Sequence, residues 1–331
     1  GSGLKEVTRL GRSWSNMRSL MELYYSFTDS VSQEDINKWY AEDNEGARIP
    51  VPKVKHGGRK EVVVKPTPAQ LDMLQGIIAG FNGLPGISDP YERNAARLRL
   101  MDRARKVSLD VRAAEPRSLS PETGGKLDQI SDNVARIHKA TTADAGTQLV
   151  FLDRSVPAAR GDAKWLKEYD DLIARRDALL DAGDEEAYRE VVEKLDEFDP
   201  NEMEEVRAAQ RGNWNAYAQL KDNLIARGVP ADEIRFVQEA GNDAEKKALF
   251  EAVNDGSVRV LIGSTQRMGA GTNVQERLVA LHHGDVTWKP SDIEQREGRI
   301  VRQGNKLLDK YGEDFEVEIL AYVTERTVDA K

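Results

Sequence analysis

The 331 residues contain no cysteine, which excludes disulfides and thiolate metal sites. Aromatics are scarce at 6% while charged residues reach 32%, the balance of a soluble, helix-rich chain. Histidine is nearly absent. His56, His138, His282 and His283 show no zinc-ligand spacing, so no metal is expected. The tandem His282-His283 ends an apolar strand and reads as structural, one side chain in and one out. No apolar run approaches the about 18 residues of a membrane span, and no signal peptide is visible, so no membrane contact is expected. The expected location is the cytoplasm. An initiator Met is missing too. Gly1-Ser2 reads as the scar of a cleaved tag, and the remainder as a piece of something longer. Positive charge is in deficit, 48 Lys and Arg against 57 Asp and Glu. A net charge of −9 argues against a surface coated with nucleic-acid contacts, although a local groove remains allowed.

What is present alternates. Residues 4–27 carry Trp14, Met17, Leu20, Met21, Tyr24 and Tyr25 at amphipathic-helix spacing. Residues 46–60, broken by Pro50, Pro52 and Gly57-Gly58, read as a linker. Residues 61–65 read as a short strand. Thr67, Pro68 and Gln70 form a capping box that should start a helix to about Phe81. The span 91–112 is basic, and Arg97, Arg103 and Arg105 are candidate phosphate contacts. A salt-bridged helix is the competing reading there. A helix is expected at 126–143, then strands at 148–153, 233–238, 258–262, 278–281 and 315–323, with helices at 213–227 and 242–253. Between 160 and 212 the composition turns charged and acidic, with apolar residues at helical spacing and a break at Gly183, the pattern of an inserted hairpin. Contact with a protein partner or with its own lobe is the favoured reading of that hairpin. The expected fold is α/β, a parallel sheet with helices on both faces, a helical N-terminal extension over 3–125, and a lobe over 126–331.

The chain is organised around 258–305. A buried strand enters a polar loop that offers Ser264, Thr265, Gln266, Gly269, Gly271, Thr272 and Asn273, groups suited to phosphates. A short helix and a second strand should follow, then a helix capped by Ser291 and Glu294. That helix carries Arg296, Arg299 and Arg302 at three-residue spacing, so they share about one face. Like charges so placed repel unless an acid or anion sits opposite. Glu294 and Glu297 give partial relief, and guanidinium forks favour phosphates.

Taken together, 263–273 and 295–302 resemble motifs V and VI of the superfamily-two helicases and translocases, the latter in the pattern Q-x-x-G-R-x-x-R with Gly298 in place. Arg302-Gln303-Gly304 is similar to the ending found in the chromatin-remodeller branch, and 148–153 sits where motif IV is expected. A wider likeness, through WSNMRSLMELYYSF, IPVPKVK and EVVVKPTPAQ, is to the helicase–adenine methylase fusion proteins of phages and conjugative elements.

The resemblance implies that Arg299 and Arg302 act as arginine fingers and Gln295 as a contact to the γ-phosphate or attacking water. Gly271, Asn273 and Gly298 would border the nucleotide, Ser264 and Thr265 the nucleic acid, and Arg296 would pair structurally. The chain departs from the family in having neither G-x-x-x-x-G-K-[ST] nor D-E-x-H. The implied cofactor, ATP with Mg held by a missing N-terminal RecA-like lobe, should therefore not stay bound to this fragment, which should be inactive alone. Implied partners are DNA, double-stranded rather than RNA, that missing lobe, and a methylase portion of the same parent. The alternative is a non-enzymatic DNA- or protein-binding module. A methyltransferase reading lacks both a glycine fingerprint and an N-P-P-Y-like motif.

Overall fold

A computed structural model of the chain describes residues 50–115, 123–158, 162–182, 184–196, 198, 203–204, 206–207, 214–268, 273–285, 287 and 290–330. The amphipathic segment at 4–27 lies outside them. Seven strands form one sheet: β1 (Lys53–Val54), β2 (Lys60–Val64), β3 (Thr147–Phe151), β4 (Ile234–Phe236), β5 (Val260–Gly263), β6 (Leu278–His283) and β7 (Glu316–Thr324). The order is β1-β7-β6-β3-β5-β4, with β2 also pairing β7, and every pairing is parallel. β3, β5 and β6 are buried at every residue, so both faces of the sheet are covered. Their near-continuous apolar sequences follow from that double burial. The parallel α/β class expected from the sequence is the one found.

Among the described residues, ten α-helices flank the strands: α1 (Pro68–Gly83), α2 (Pro90–Leu109), α3 (Val111–Ala114), α4 (Lys126–Ala140), α5 (Asp162–Ala182), α6 (Glu185–Leu195), α7 (Ala216–Ala226), α8 (Asp243–Asp255), α9 (Pro290–Glu297) and α10 (Lys306–Tyr311). Thr67 and Gln70 close the expected box at α1, with Pro68 in the first turn. Asn242 caps α8 by accepting from the Glu245 amide, but Glu245 reaches back to the Gly241 amide rather than to that of Asn242. The basic span is not one helix. Asp110 ends α2 and caps α3, holding the Arg112 amide and guanidinium together.

Two expectations about the N-terminal part need correction. The expected linker contains β1, which pairs with Glu316 and Val317. β1 and β2 then lie end to end along the outer edge of β7, so residues 51–125 contribute strands to the same sheet as the rest. Val51–Lys331 form one compact unit. The reason is local: the apolar alternation of β7 needs a partner on its outer side, and KEVVV supplies one in register, Lys60 to Leu320 through Val64 to Thr324.

The inserted hairpin is present as α5 and α6, with Gly183 outside the described residues. It packs on a hydrophobic cluster of its own, Leu166, Phe198, Met203 and Val206 with Trp165, Tyr169 and Leu172, distinct from the cluster around the sheet.

Candidate nucleotide and nucleic-acid site

Three neighbouring strands end level with one another. Phe151 of β3 is in register with Gly263 of β5 and with His283 of β6. Two residues beyond each strand end stand Asp153, Thr265 and Asp285, which the register brings to one place at the carboxyl edge. That edge is where ligands of parallel α/β sheets bind.

Arg296, fully buried, fills the middle of this triad. It donates from Nη2 to Asp153 at 2.6 Å and to Asp285 at 3.4 Å, and from Nε to the Thr265 hydroxyl at 2.8 Å. Its guanidinium lies 4.9 Å from the Phe151 ring centroid. Asp153 also accepts from the Thr265 amide at 2.6 Å and from the Thr265 hydroxyl at 2.9 Å. Arg296 thus pairs structurally, as the motif likeness implied. The acids that hold it escaped the sequence reading, although each closes an apolar strand two residues late, in VFLD and LHHGD.

Arg296 makes its shorter bond to Asp153, which leaves Asp285 the less well compensated carboxyl. Burial first, then the neighbouring Asp153, push the Asp285 carboxyl up to about 6. A carboxyl raised in the folded state favours folding while protonated. Its contribution is complete below about pH 4, declines towards pH 6 and is flat above. The stability of the wild type relative to Asp285→Asn should therefore fall between pH 4 and 7. The fall should reach up to about 3 kcal/mol, since each tenfold change in proton affinity is worth about 1.4 kcal/mol. Denaturant midpoints at several pH values measure this, and a difference that grows with pH contradicts it.

Both tandem histidines are buried, not one in and one out. His282 is held between Tyr322 and Gln148 at 2.9 and 3.0 Å, and burial depresses it to about 3. His283 contacts Glu297 at 3.2 Å, and Glu297 accepts from Arg59 at 2.6 Å. The turn preceding β2 is thereby tied to the end of α9. Gly284 follows directly. A Cβ there would lie 2.5 Å from Leu152 Cδ2 and 3.0 Å from the Phe151 carbonyl oxygen. Gly284→Ala should cost about 1–3 kcal/mol through overpacking, read from the unfolding midpoint.

The arginine segment differs from its expected form. α9 starts at Pro290 and ends at Glu297, so Ser291 lies inside the helix instead of capping it. Residues 298–300 form a turn, closed by amide bonds from Gly298 to Glu294 and from Ile300 to Glu297. Arg299 and Arg302 therefore leave the helix axis, and the three arginines do not share a helix face. Glycine suits this turn, since a Cβ at Gly298 would lie 3.1 Å from the Glu294 carbonyl oxygen. Likewise, residues 273–277 contain no helix; a turn leads into β6.

Arg302, exposed, donates to the Asn273 side-chain oxygen at 2.9 Å. Asn254 of α8 donates to the Asn273 carbonyl at 2.8 Å. The loop after β5 and the arginine turn thus meet at Asn273. Arg299 is 8% exposed, and burial together with Arg302 lowers its affinity for the proton. Lys246 of α8 is lowered by burial, by Arg267 and by Arg299. Lys246 lines a groove of about 410 Å³ along α8, together with Asp243, Lys247, Phe250, Glu251, Asn254 and Asn273, the residue that Arg302 bonds. Lys246, Phe250 and Asn254 were not singled out from the sequence; their i, i+4, i+8 spacing in α8 was the available signal.

Of the remaining candidates, Gln295 is exposed on α9. Gly271 lies outside the described residues. Ser264 is 3% exposed, and its hydroxyl accepts from the Arg267 amide at 3.3 Å, so it closes the loop from within. Thr265 is half-buried, its hydroxyl between Asp153 and Arg296. Arg103 pairs with Glu115, Arg105 is half-buried and Arg97 is exposed. Arg267 joins the loop to the hairpin, bonding Asp162 at 2.7 Å with its guanidinium 5.0 Å from the Trp165 ring centroid.

Among the described residues no group of acids and histidines could hold a metal ion, and no helix is long and apolar enough to cross a membrane.

No family model matches the chain, and no curated protein matches it. The solved structures similar in chain course include two helicase-type domains. The C-terminal part of the Fun30 ATPase domain has 12% identity and a TM-score of 0.44, over 85% of this chain and 88% of that one. The Pyrococcus furiosus Hef helicase domain has 11% identity and a TM-score of 0.31, over 84% of this chain and 57% of that one.

Proposed function

We propose that the chain is the second, RecA-like motor lobe of an ATP-driven DNA helicase or translocase. The supporting observation is the meeting of the loop after β5 with the arginine turn, where Arg302 bonds Asn273 beside the nearly buried Arg299. The two guanidiniums held there suit a triphosphate presented from outside. They would stabilise charge on the transferring phosphoryl group. The phosphate cradle and the magnesium ligands belong to another lobe, because this chain has no phosphate loop and no acid box. Asn273 connects the two motifs, so a shift of the arginines on hydrolysis would pull on the loop at the nucleic-acid side. A methylase portion in the same parent follows the wider sequence likeness.

The test joins this chain to a phosphate-loop lobe and measures ATP turnover with and without DNA. Hydrolysis that requires Arg299 and Arg302 supports the reading. Absence of hydrolysis in any such pairing, with DNA binding retained, favours the non-enzymatic module.

A further inference from the structure

The segment between β1 and β2 has no part in the motor reading, yet it reaches the arginine turn. The outer edge runs from Val54 to Lys60 while β7 runs only from Val317 to Leu320, so the chain between the two strands bows away from the sheet. His56 and Gly57 hold left-handed backbone there, with φ of 61° and 76°. Arg59 ends the bow. The register sets Lys60 beside Leu320 and Leu320 beside His282, so Arg59 and His283 stand one step to either side of a single row. Both reach the same atom, Glu297 Oε1. Arg59 donates to it from Nη1 at 2.6 Å and His283 from Nε2 at 3.2 Å.

Donors and acceptors then fall into one order. The bonds from His283 and Arg59 outweigh burial and hold the Glu297 carboxyl below its usual range, so it is an ionised acceptor. Arg296 can only donate. The His283 proton therefore sits on Nε2, and Nδ1 accepts from Arg296 Nη1 at 3.4 Å. Burial lowers the proton affinity of His283, which favours this neutral form. The line Arg59–Glu297–His283–Arg296 starts from an exposed guanidinium and finishes on Asp153 and Asp285.

Glu297 is also the base of the arginine turn. Its carbonyl accepts from the Ile300 and Val301 amides, each at 3.1 Å, and Arg299 stands inside the loop so closed. What fixes Glu297 therefore fixes the direction in which Arg299 leaves α9. His283 holds the carboxylate from the core and Arg59 holds it from outside. With side chains 36% and 27% exposed, the Arg59–Glu297 pair adds little to stability. Its consequence is geometric.

We infer that Arg59 is a positioning residue for the arginine turn: through Glu297 it sets where Arg299 points. This rests on the motor reading and adds to that site a residue from the edge strands. Arg59 meets no phosphate itself. Displacing a group that acts on the reacting centre by about 1 Å costs on the order of 10²-fold in rate. Arg299 would act on the transition state, so the loss falls on kcat and not on KM.

Two measurements test this. The first is hydrogen exchange, followed by nuclear magnetic resonance, on the whole chain as wild type, Arg59→Ala and Arg59→Lys. In Arg59→Ala the Ile300 and Val301 amides should exchange at least about fivefold faster, a local opening that leaves the β3 amides and the unfolding midpoint unchanged. Arg59→Lys keeps one cationic donor and should recover most of the protection. The second is ATP turnover with a phosphate-loop lobe joined to the chain. There Arg59→Ala should lower kcat roughly tenfold to a hundredfold at unchanged KM, with partial rescue by lysine. Unaltered exchange at Ile300 and Val301 overturns the inference whatever the joined lobes do. A raised KM at unchanged kcat overturns it too, by placing Arg59 in nucleotide binding. If Arg59→Ala turns over normally while Arg299→Ala abolishes hydrolysis, this role falls and the motor reading stands. If no joined pair hydrolyses ATP, both fall.

Discussion

Replacing Arg296 by Ala should cost the fold about 3–5 kcal/mol, because two carboxylates at the sheet edge lose the cation they share. Asp153 and Asp285 are brought together by strand register, and the Asp285 side chain is nearly buried. The Phe151 ring loses its cation as well. At about 2–4 °C per kcal/mol for a unit of this size, the melting temperature should drop by roughly 6–20 °C. Arg302→Ala, at an exposed position, should stay within about 0.5 kcal/mol of wild type. The double variant Arg296→Ala/Asp285→Asn should recover part of the loss, since it removes one orphaned charge. Matching melting curves for Arg296→Ala and wild type would contradict the account.

The largest functional effect is expected at the other two arginines. With a phosphate-loop lobe supplied, Arg302→Ala and Arg299→Ala should each lower ATP turnover by roughly 10³ or more, the scale of losing a guanidinium that meets the transferring phosphoryl group. Arg302→Lys should recover little, because a point charge does not reproduce the planar fork that meets both Asn273 and a phosphate. Far-ultraviolet circular dichroism and the melting curve should remain unchanged for Arg302→Ala, which separates loss of chemistry from loss of fold. Asn273→Ala should act differently. It releases Arg302 from the loop, so it should leave basal hydrolysis closer to normal than stimulation by DNA. Steady-state turnover with and without duplex reads both effects, and near-normal turnover in both arginine variants would remove the basis for the proposal.

Most of the sheet could be read from the chain because doubly covered strands are written as apolar runs. QLVFL, VRVLIG and LVALHH each became a central strand. The capping box at Thr67 was equally legible, since its chemistry is local. What escaped was non-local. β1 is two residues long and exists only because β7 lies beside it. The end of α9 at Glu297 was hidden because R-E-G-R-I-V-R continues a helical spacing that the turn at Gly298 interrupts. The acids around Arg296 come from strands distant in sequence, and only the register makes them neighbours. Arg296, Arg299 and Arg302 have one side-chain type and one spacing but separate fates: a buried tie, a nearly buried cation and an exposed contact to a loop. No period in the chain distinguishes them.

The way β1 and β2 run in tandem along β7 has a bearing on how the protein can be divided. Cutting before Lys126, where the motif-bearing part begins, would strip the nine residues Glu316–Thr324 of their outer neighbour. Their amide and carbonyl groups would become an open template beside Val317, Ile319 and Ala321, and such bared borders recruit strands from other molecules. A shortened version that keeps Val51 retains the seal, whereas one trimmed to the helicase-like motifs alone invites self-association.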